Sequence, residues 1–190
     1  ALGNGYALVE ATAAIDIINN SWGYAESEIG VTCNSKETCE SALNDATGYD
    51  YTYYYFQRMA TEQNAMVVWA AGNDSKDNPS ALNGACIYDS LVSENCVIVV
   101  ALGTDGKIAD YSNKCGIASA VCISAPGSLV SAYNDGTDTY YQLSGTSMAA
   151  PLVSGGLALI KQIHTSLTHT QVIDRLFATA VDHDVYSQSS

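Results

Sequence analysis

Leu143-Ser144-Gly145-Thr146-Ser147-Met148-Ala149-Ala150-Pro151-Leu152-Val153-Ser154-Gly155-Gly156-Leu157-Ala158-Leu159-Ile160 is the stretch that decides how this chain folds. Small polar residues, Ser144 to Ser147, pass directly into an almost uncharged apolar run. Such a run predicts a helix, and a helix apolar on all sides has to be buried. Ser147 stands where a glycine-containing turn enters that helix. Its hydroxyl therefore lies at the positive end of the helix dipole, facing what the turn exposes, which is where a nucleophile is useful. Pro151 falls close enough to the helix start for its missing N–H to cost little. Gly155 and Gly156 would let neighbouring elements approach closely.

Upstream of this helix, Asn134-Asp135-Gly136 between Ser128–Tyr133 and Thr139–Leu143 predicts a hairpin that delivers the chain to Ser147. Met66–Ala71, bounded by Gly72-Asn73-Asp74, and Cys96–Leu102, closed by Gly103, are continuous apolar runs. Runs of this kind are strands covered on both faces. Val121–Ala125 before Pro126-Gly127 and Ile15–Asn20 before Ser21-Trp22-Gly23 predict two shorter strands, the latter ending in small polar residues that often open onto a site. Tyr6–Ala14 has helix-forming composition, and Tyr51–Asn64 has helical spacing. Thr168 and Gln171 make a capping-box spacing before Val172, Leu176 and Ala180, predicting a last amphipathic helix. The sum predicts an α/β fold: a mostly parallel twisted sheet with helices on both faces. Residues 24–49 predict a long polar surface excursion, and the chain beyond Asp182 a frayed tail.

The 190 residues suffice for one substantial domain, and with 47% hydrophobic and 14% charged residues the chain can bury a large core. Seven basic residues against 20 acidic ones give a net charge of −13, which repels nucleic acid and anionic membrane alike. Apolar runs such as Val97–Leu102 fall well short of the ~20 residues a membrane helix needs. No signal peptide opens the sequence, so the chain is expected to be mature or to begin within a longer domain. The six cysteines form three local couples, Cys33 with Cys39, Cys86 with Cys96 and Cys115 with Cys122. Each couple brackets polar, loop-like sequence, so sequential disulfides are expected, and with them an oxidising, secreted or extracytoplasmic setting. No Cys-x-x-Cys or paired Cys/His spacing suggests zinc, and no metal site is assigned.

Gly145-Thr146-Ser147-Met148-Ala149-Ala150-Pro151 resembles the nucleophile motif of the subtilisin-like serine proteases. Three further segments match in the right order. Ser21-Trp22-Gly23 resembles the strand lining the substrate cleft, Ala70-Ala71-Gly72-Asn73 the oxyanion segment, and Ala125-Pro126-Gly127 the turn before the serine hairpin. The resemblance implies peptide-bond hydrolysis on a parallel α/β sheet, with Ser147 as nucleophile and Asn73 as oxyanion donor. Ser21, Trp22, Gly23, Ala70, Ala71 and Gly72 become walls of a cleft for a protein or peptide substrate. Physical chemistry asks for the same parts, since a serine hydroxyl attacks a carbonyl only with a base beside it and donors aimed at the oxyanion. Pro151-Leu152 and Ser21-Trp22-Gly23 also resemble the kexin-like branch, whose acidic cluster is faintly echoed by Glu26 and Glu28, which would imply basic substrates. No cofactor is required. The resemblance, with loops rich in Asp, admits a structural calcium, although no ligand loop can be named.

The base is what the chain lacks. His164 follows Ser147 by 17 residues, ~25 Å along a shared helix. His169 falls in the cap of the next helix and is expected at the surface, and His183 lies in the tail. In this family the acid and histidine precede the serine along the chain. The expectation is therefore that residues 1–190 form the C-terminal part of one peptidase domain, with an N-terminal segment carrying the acid and histidine as its partner. The competing expectation is a non-catalytic pseudoprotease or binding module of the same fold. A different serine hydrolase would have to recruit His183.

Overall fold

The computed structural model describes residues 15–23, 34–35, 37–39, 58, 60–89, 92–133, 136 and 139–181. Four strands, β1 (Ile17–Asn20), β2 (Met66–Ala70), β3 (Cys96–Leu102) and β4 (Cys122–Pro126), lie parallel in that order. Pairing runs Ile17 with Met66 through Asn20 with Trp69, Val67 with Cys96 through Ala70 with Val99, and Ile98 with Cys122 through Leu102 with Pro126. Because side chains alternate along a strand, β2 and β3 feed two separate cores. Val67, Trp69, Ile98 and Val100 enter one, closed by Ala60, Val92 and the Cys86 and Cys115 segments. Met66, Val68, Val97 and Val99 enter the other, closed by Ala149, Val153, Leu157, Val172 and Ile173. Every residue of β2 is buried, as a continuous apolar run requires.

The second core is covered by two helices, α2 (Thr146–Ile163) and α3 (His169–Thr179), while a single turn, α1 (Ala81–Gly84), lies between β2 and β3. The expected capping box opens α3, with Thr168 Oγ1 accepting from the Gln171 N–H and Gln171 Oε1 from the Thr168 N–H. A hairpin of β5 (Ser128–Tyr133) and β6 (Thr139–Ser144) stands before α2. Its base is closed by the Gly145 N–H donating to the Gly127 carbonyl at 2.8 Å. The disulfides Cys86–Cys96 and Cys115–Cys122 are formed as expected. Cys39 is disulfide-bonded, and its expected partner Cys33 falls outside the described residues. Residues 58 and 60–62 are helical, in keeping with the spacing there. The rest of 51–57, the expected helix at Tyr6–Ala14, most of the 24–49 excursion, the Asn134-Asp135 turn and the tail lie outside the described residues.

Two expectations about α2 need correction. It is apolar all round but not buried all round. Ala149, Ala150, Val153 and Leu157 face the sheet, whereas Leu152, Leu159 and Ile163 are 42%, 60% and 73% exposed. One layer of sheet covers one stripe of a helix, and among the described residues nothing covers the opposite stripe. Nor does Gly155 admit a close neighbour: no described atom lies within 4 Å of where its Cβ would stand, and Gly156 meets only Leu176 at ordinary contact distance.

Candidate active site

Parallel strands deliver their carboxyl ends to one edge of the sheet. Here the Asn20–Trp69 pairing brings Ser21–Gly23, leaving β1, beside Ala71–Asn73, leaving β2. The hairpin brings Gly145 to the same edge, so that α2 starts there. Ser147, second residue of α2, donates its hydroxyl to the Ser21 carbonyl at 3.0 Å, and Ser21 Oγ donates to the Ser147 carbonyl at 2.8 Å. The second bond has a covalent origin. In an uninterrupted helix the Ser147 carbonyl would accept from residue 151, and Pro151 has no N–H to give. The proline thus frees the acceptor that ties the serine turn to the end of β1.

Asn73 is held from two directions. Its Oδ1 accepts from the Thr146 N–H at 2.9 Å and from the Thr146 hydroxyl at 3.0 Å. With its oxygen engaged twice, the carboxamide turns its N–H2 group away from Thr146. Thr146 itself is fully buried and its hydroxyl also accepts from the Gly72 N–H at 3.2 Å. Beneath the segment, Asn113 donates to the Ala71 carbonyl and accepts from the backbone N–H groups of Asp74 and Lys76. Gly72 has φ +110°, and a Cβ there would collide with the Asn113 side chain. Glycine is therefore required on both conformational and steric grounds.

Trp22, Gly23, Ala70, Gly72, Asn73 and Ser147 line one cavity of about 180 Å³. Of the expected wall residues, Ser21 and Ala71 do not line it: Ser21 supports the serine turn, and Ala71 is wholly buried in the core that Val67 and Trp69 enter. Asp74, Ser80, Asn83 and Thr146 complete the lining, and none of them is assigned to the site by the sequence reading. Thr146 lies inside the motif but reads as a spacer, Ser80 and Asn83 carry no local signal because their place in the cavity is made by folding, and Asn113 carries none because its partners lie 37 to 42 residues away. Behind the turn, Tyr111 donates to the Gly127 carbonyl at 3.1 Å, and burial raises its phenol above the usual value.

Neither described histidine approaches Ser147. His164 caps the far end of α2. His169 corrects an expectation: it is not a surface residue but 8% exposed. Its Nε2 meets Asp16 Oδ1 at 2.8 Å and its Nδ1 meets the Asn64 carbonyl, at the amino ends of β1 and β2 and so at the opposite edge of the sheet from Ser147. His183 lies outside the described residues. Among the described residues, no group of three or more His, Cys, Asp or Glu side chains could hold a metal ion. None of the described helices is long and apolar enough to cross a membrane.

The subtilase family (Peptidase S8) matches residues 3–189. Serotype-specific antigen 1 of Mannheimia haemolytica is 36% identical over 129 residues, covering 65% of this chain and 14% of the antigen. An extracellular protease of Xanthomonas campestris pv. campestris is 32% identical over 165 residues, covering 83% of this chain and 27% of that protease. Among solved structures, the patellamide maturation protease PatA superposes with a TM-score of 0.68 at 26% identity, covering 98% of this chain and 61% of that one. The chain therefore spans well under half the length of these two curated relatives.

Proposed function

This chain belongs to the subtilase family, and we propose that it is the serine-bearing part of an endopeptidase that hydrolyses peptide bonds through an acyl-enzyme on Ser147. The observation that carries this reading is the pairing of Ser147 with Asn73 through Thr146. One short segment both starts the helix bearing the hydroxyl and orients the carboxamide beside it. A carbonyl attacked by Ser147 Oγ develops negative charge on its oxygen. The Asn73 N–H2 group and the Ser147 backbone N–H are donors for it, fixed before the reaction begins. The base that takes the Ser147 proton, and the acid that orients that base, come from an N-terminal segment of the same peptidase domain.

The uncovered surface supports such a partner. Among the described residues β1 pairs only with β2, and the exposed stripe Leu152, Leu159 and Ile163 runs along α2 behind the serine turn. Exposed apolar surface and a sheet edge unpaired among the described residues are both features that a docking partner covers. The substrate is a protein or peptide entering between Ser21–Gly23 and Ala70–Gly72. No cofactor takes part, and a calcium ion, if bound, is structural. The paired cysteines fit the extracytoplasmic setting that the name of the Xanthomonas relative also gives.

A fluorophosphonate probe tests this directly. In the complete assembly it should label Ser147, and Ser147→Ala should abolish both labelling and peptide cleavage. The rival reading, a non-catalytic relative, draws on the Ser147 hydroxyl donating to a backbone carbonyl rather than to a base. A folded assembly that includes the preceding segment and does not label would decide for it.

A further inference from the structure

The cavity beside Ser147 has a floor that its walls do not explain. Asn83, 1% exposed, donates from Nδ2 to the Ala70 carbonyl at the end of β2. That bond settles which way the amide faces, since only its nitrogen can serve a carbonyl. Its Oδ1 is left with no partner, and so is Oγ of Ser80, which is 4% exposed. Unpartnered polar atoms in a buried place are costly, and sites that bind polar groups are where they persist. Both residues sit under Gly23. A Cβ on Gly23 would stand 3.3 Å from Ser80 Oγ and 3.9 Å from Asn83 Oδ1, so the missing side chain keeps the way to them open.

Resting on the protease assignment, we propose that this cavity receives the side chain of the residue whose carbonyl Ser147 attacks. Ser80 and Asn83 select there a neutral side chain ending in a carboxamide, glutamine above all. Ser147 and Asn73 line the cavity, and the attacked carbonyl must lie beside them, so the side chain on the same residue has this volume before it. Trp22, Gly23, Ala70 and Gly72 give the stem apolar and backbone walls. At the floor the carboxamide N–H2 donates to Asn83 Oδ1, and its oxygen accepts from the Ser80 hydroxyl. A leucine of similar size leaves both atoms buried and unpaired, and a carboxylate sets oxygen against oxygen at Asn83. A lysine ammonium finds no buried carboxylate among the lining residues. Asp74, the one lining acid, is exposed, where its pull on a cation is screened.

Peptides differing only at this residue, cut by the complete protease, test the assignment. Glutamine should exceed leucine, glutamate and lysine in kcat/KM by about tenfold or more, since a site built to hydrogen-bond its substrate rejects analogues that cannot. Ser80→Ala should narrow the glutamine-to-leucine ratio several-fold, a change that loss of folding alone would not produce. An enzyme that labels with fluorophosphonate yet prefers leucine, glutamate or lysine overturns the proposal and leaves the protease assignment standing. An unchanged ratio in Ser80→Ala removes Ser80 from it. A folded assembly that neither labels nor cleaves overturns the protease assignment and this proposal with it.

Discussion

Thr146 carries more of the site than its size suggests, because one hydroxyl and one N–H fix the Asn73 side chain, the proposed oxyanion donor. Replacing it with valine keeps the shape and removes the hydroxyl, so Asn73 keeps one of its two anchors and the Gly72 N–H loses its acceptor. Thr146→Val should lower kcat in the complete protease about tenfold with KM little changed, while Thr146→Ser should retain most of the rate. Asn73→Ala should cost ~10² to 10³ in kcat, a figure borrowed from a relative in the same family. Ser147 and Asn73 could be singled out in the sequence because each sits inside a contiguous motif, and the fold brings the two to one cavity. Asn113 could not be: it organises the same segment from 40 positions away, and no local pattern marks a residue whose role is made by folding. His169 was misread for the same reason, its partner Asp16 lying 153 residues away.

At the scale of elements, α2 is held to β1 by a bond that exists because of a proline. Ser21→Ala should leave the Ser147 carbonyl without its donor and cost about 1–3 kcal/mol of stability. Pro151→Ala restores an N–H at the position from which a helix serves that carbonyl. In the Pro151→Ala background, Ser21→Ala should therefore cost less, by about 1 kcal/mol, in a double-mutant cycle read by urea unfolding. A second tie joins α3 to the amino ends of β1 and β2. His169→Ala empties the contacts to Asp16 and the Asn64 carbonyl and should cost about 1–3 kcal/mol, with no change in fluorophosphonate reactivity because the serine lies at the other edge. The strands were legible almost to the residue, since buried parallel strands are continuous apolar runs. The stripe of α2 that is left exposed was not, because composition reports how apolar a helix is and not how many neighbours it has.

For the whole molecule, the described residues form two cores around β2 and β3, and among them nothing covers the free edge of β1 or one side of α2. The chain by itself should therefore be folded enough to keep the Ser147–Asn73 geometry, yet fail to react with a fluorophosphonate. Adding the segment that bears acid and histidine should restore labelling, and intact mass should show two pieces or one longer chain. A folded, monomeric ~20 kDa species that labels on its own would refute the need for a partner. Among the described residues, the hydrogen bonds on Asn73 and Ser147 come from Thr146 and Ser21, and Asn113 supports the loop that carries Asn73. If the proposed function holds, Ser147 and Asn73 stand in position in advance, and a docking segment would have only to bring the base into register. Under the proposed function such a molecule should behave as one half of a complementation pair. The time course of assembly and the onset of proteolysis should coincide, with no lag between them for the cleft to rearrange.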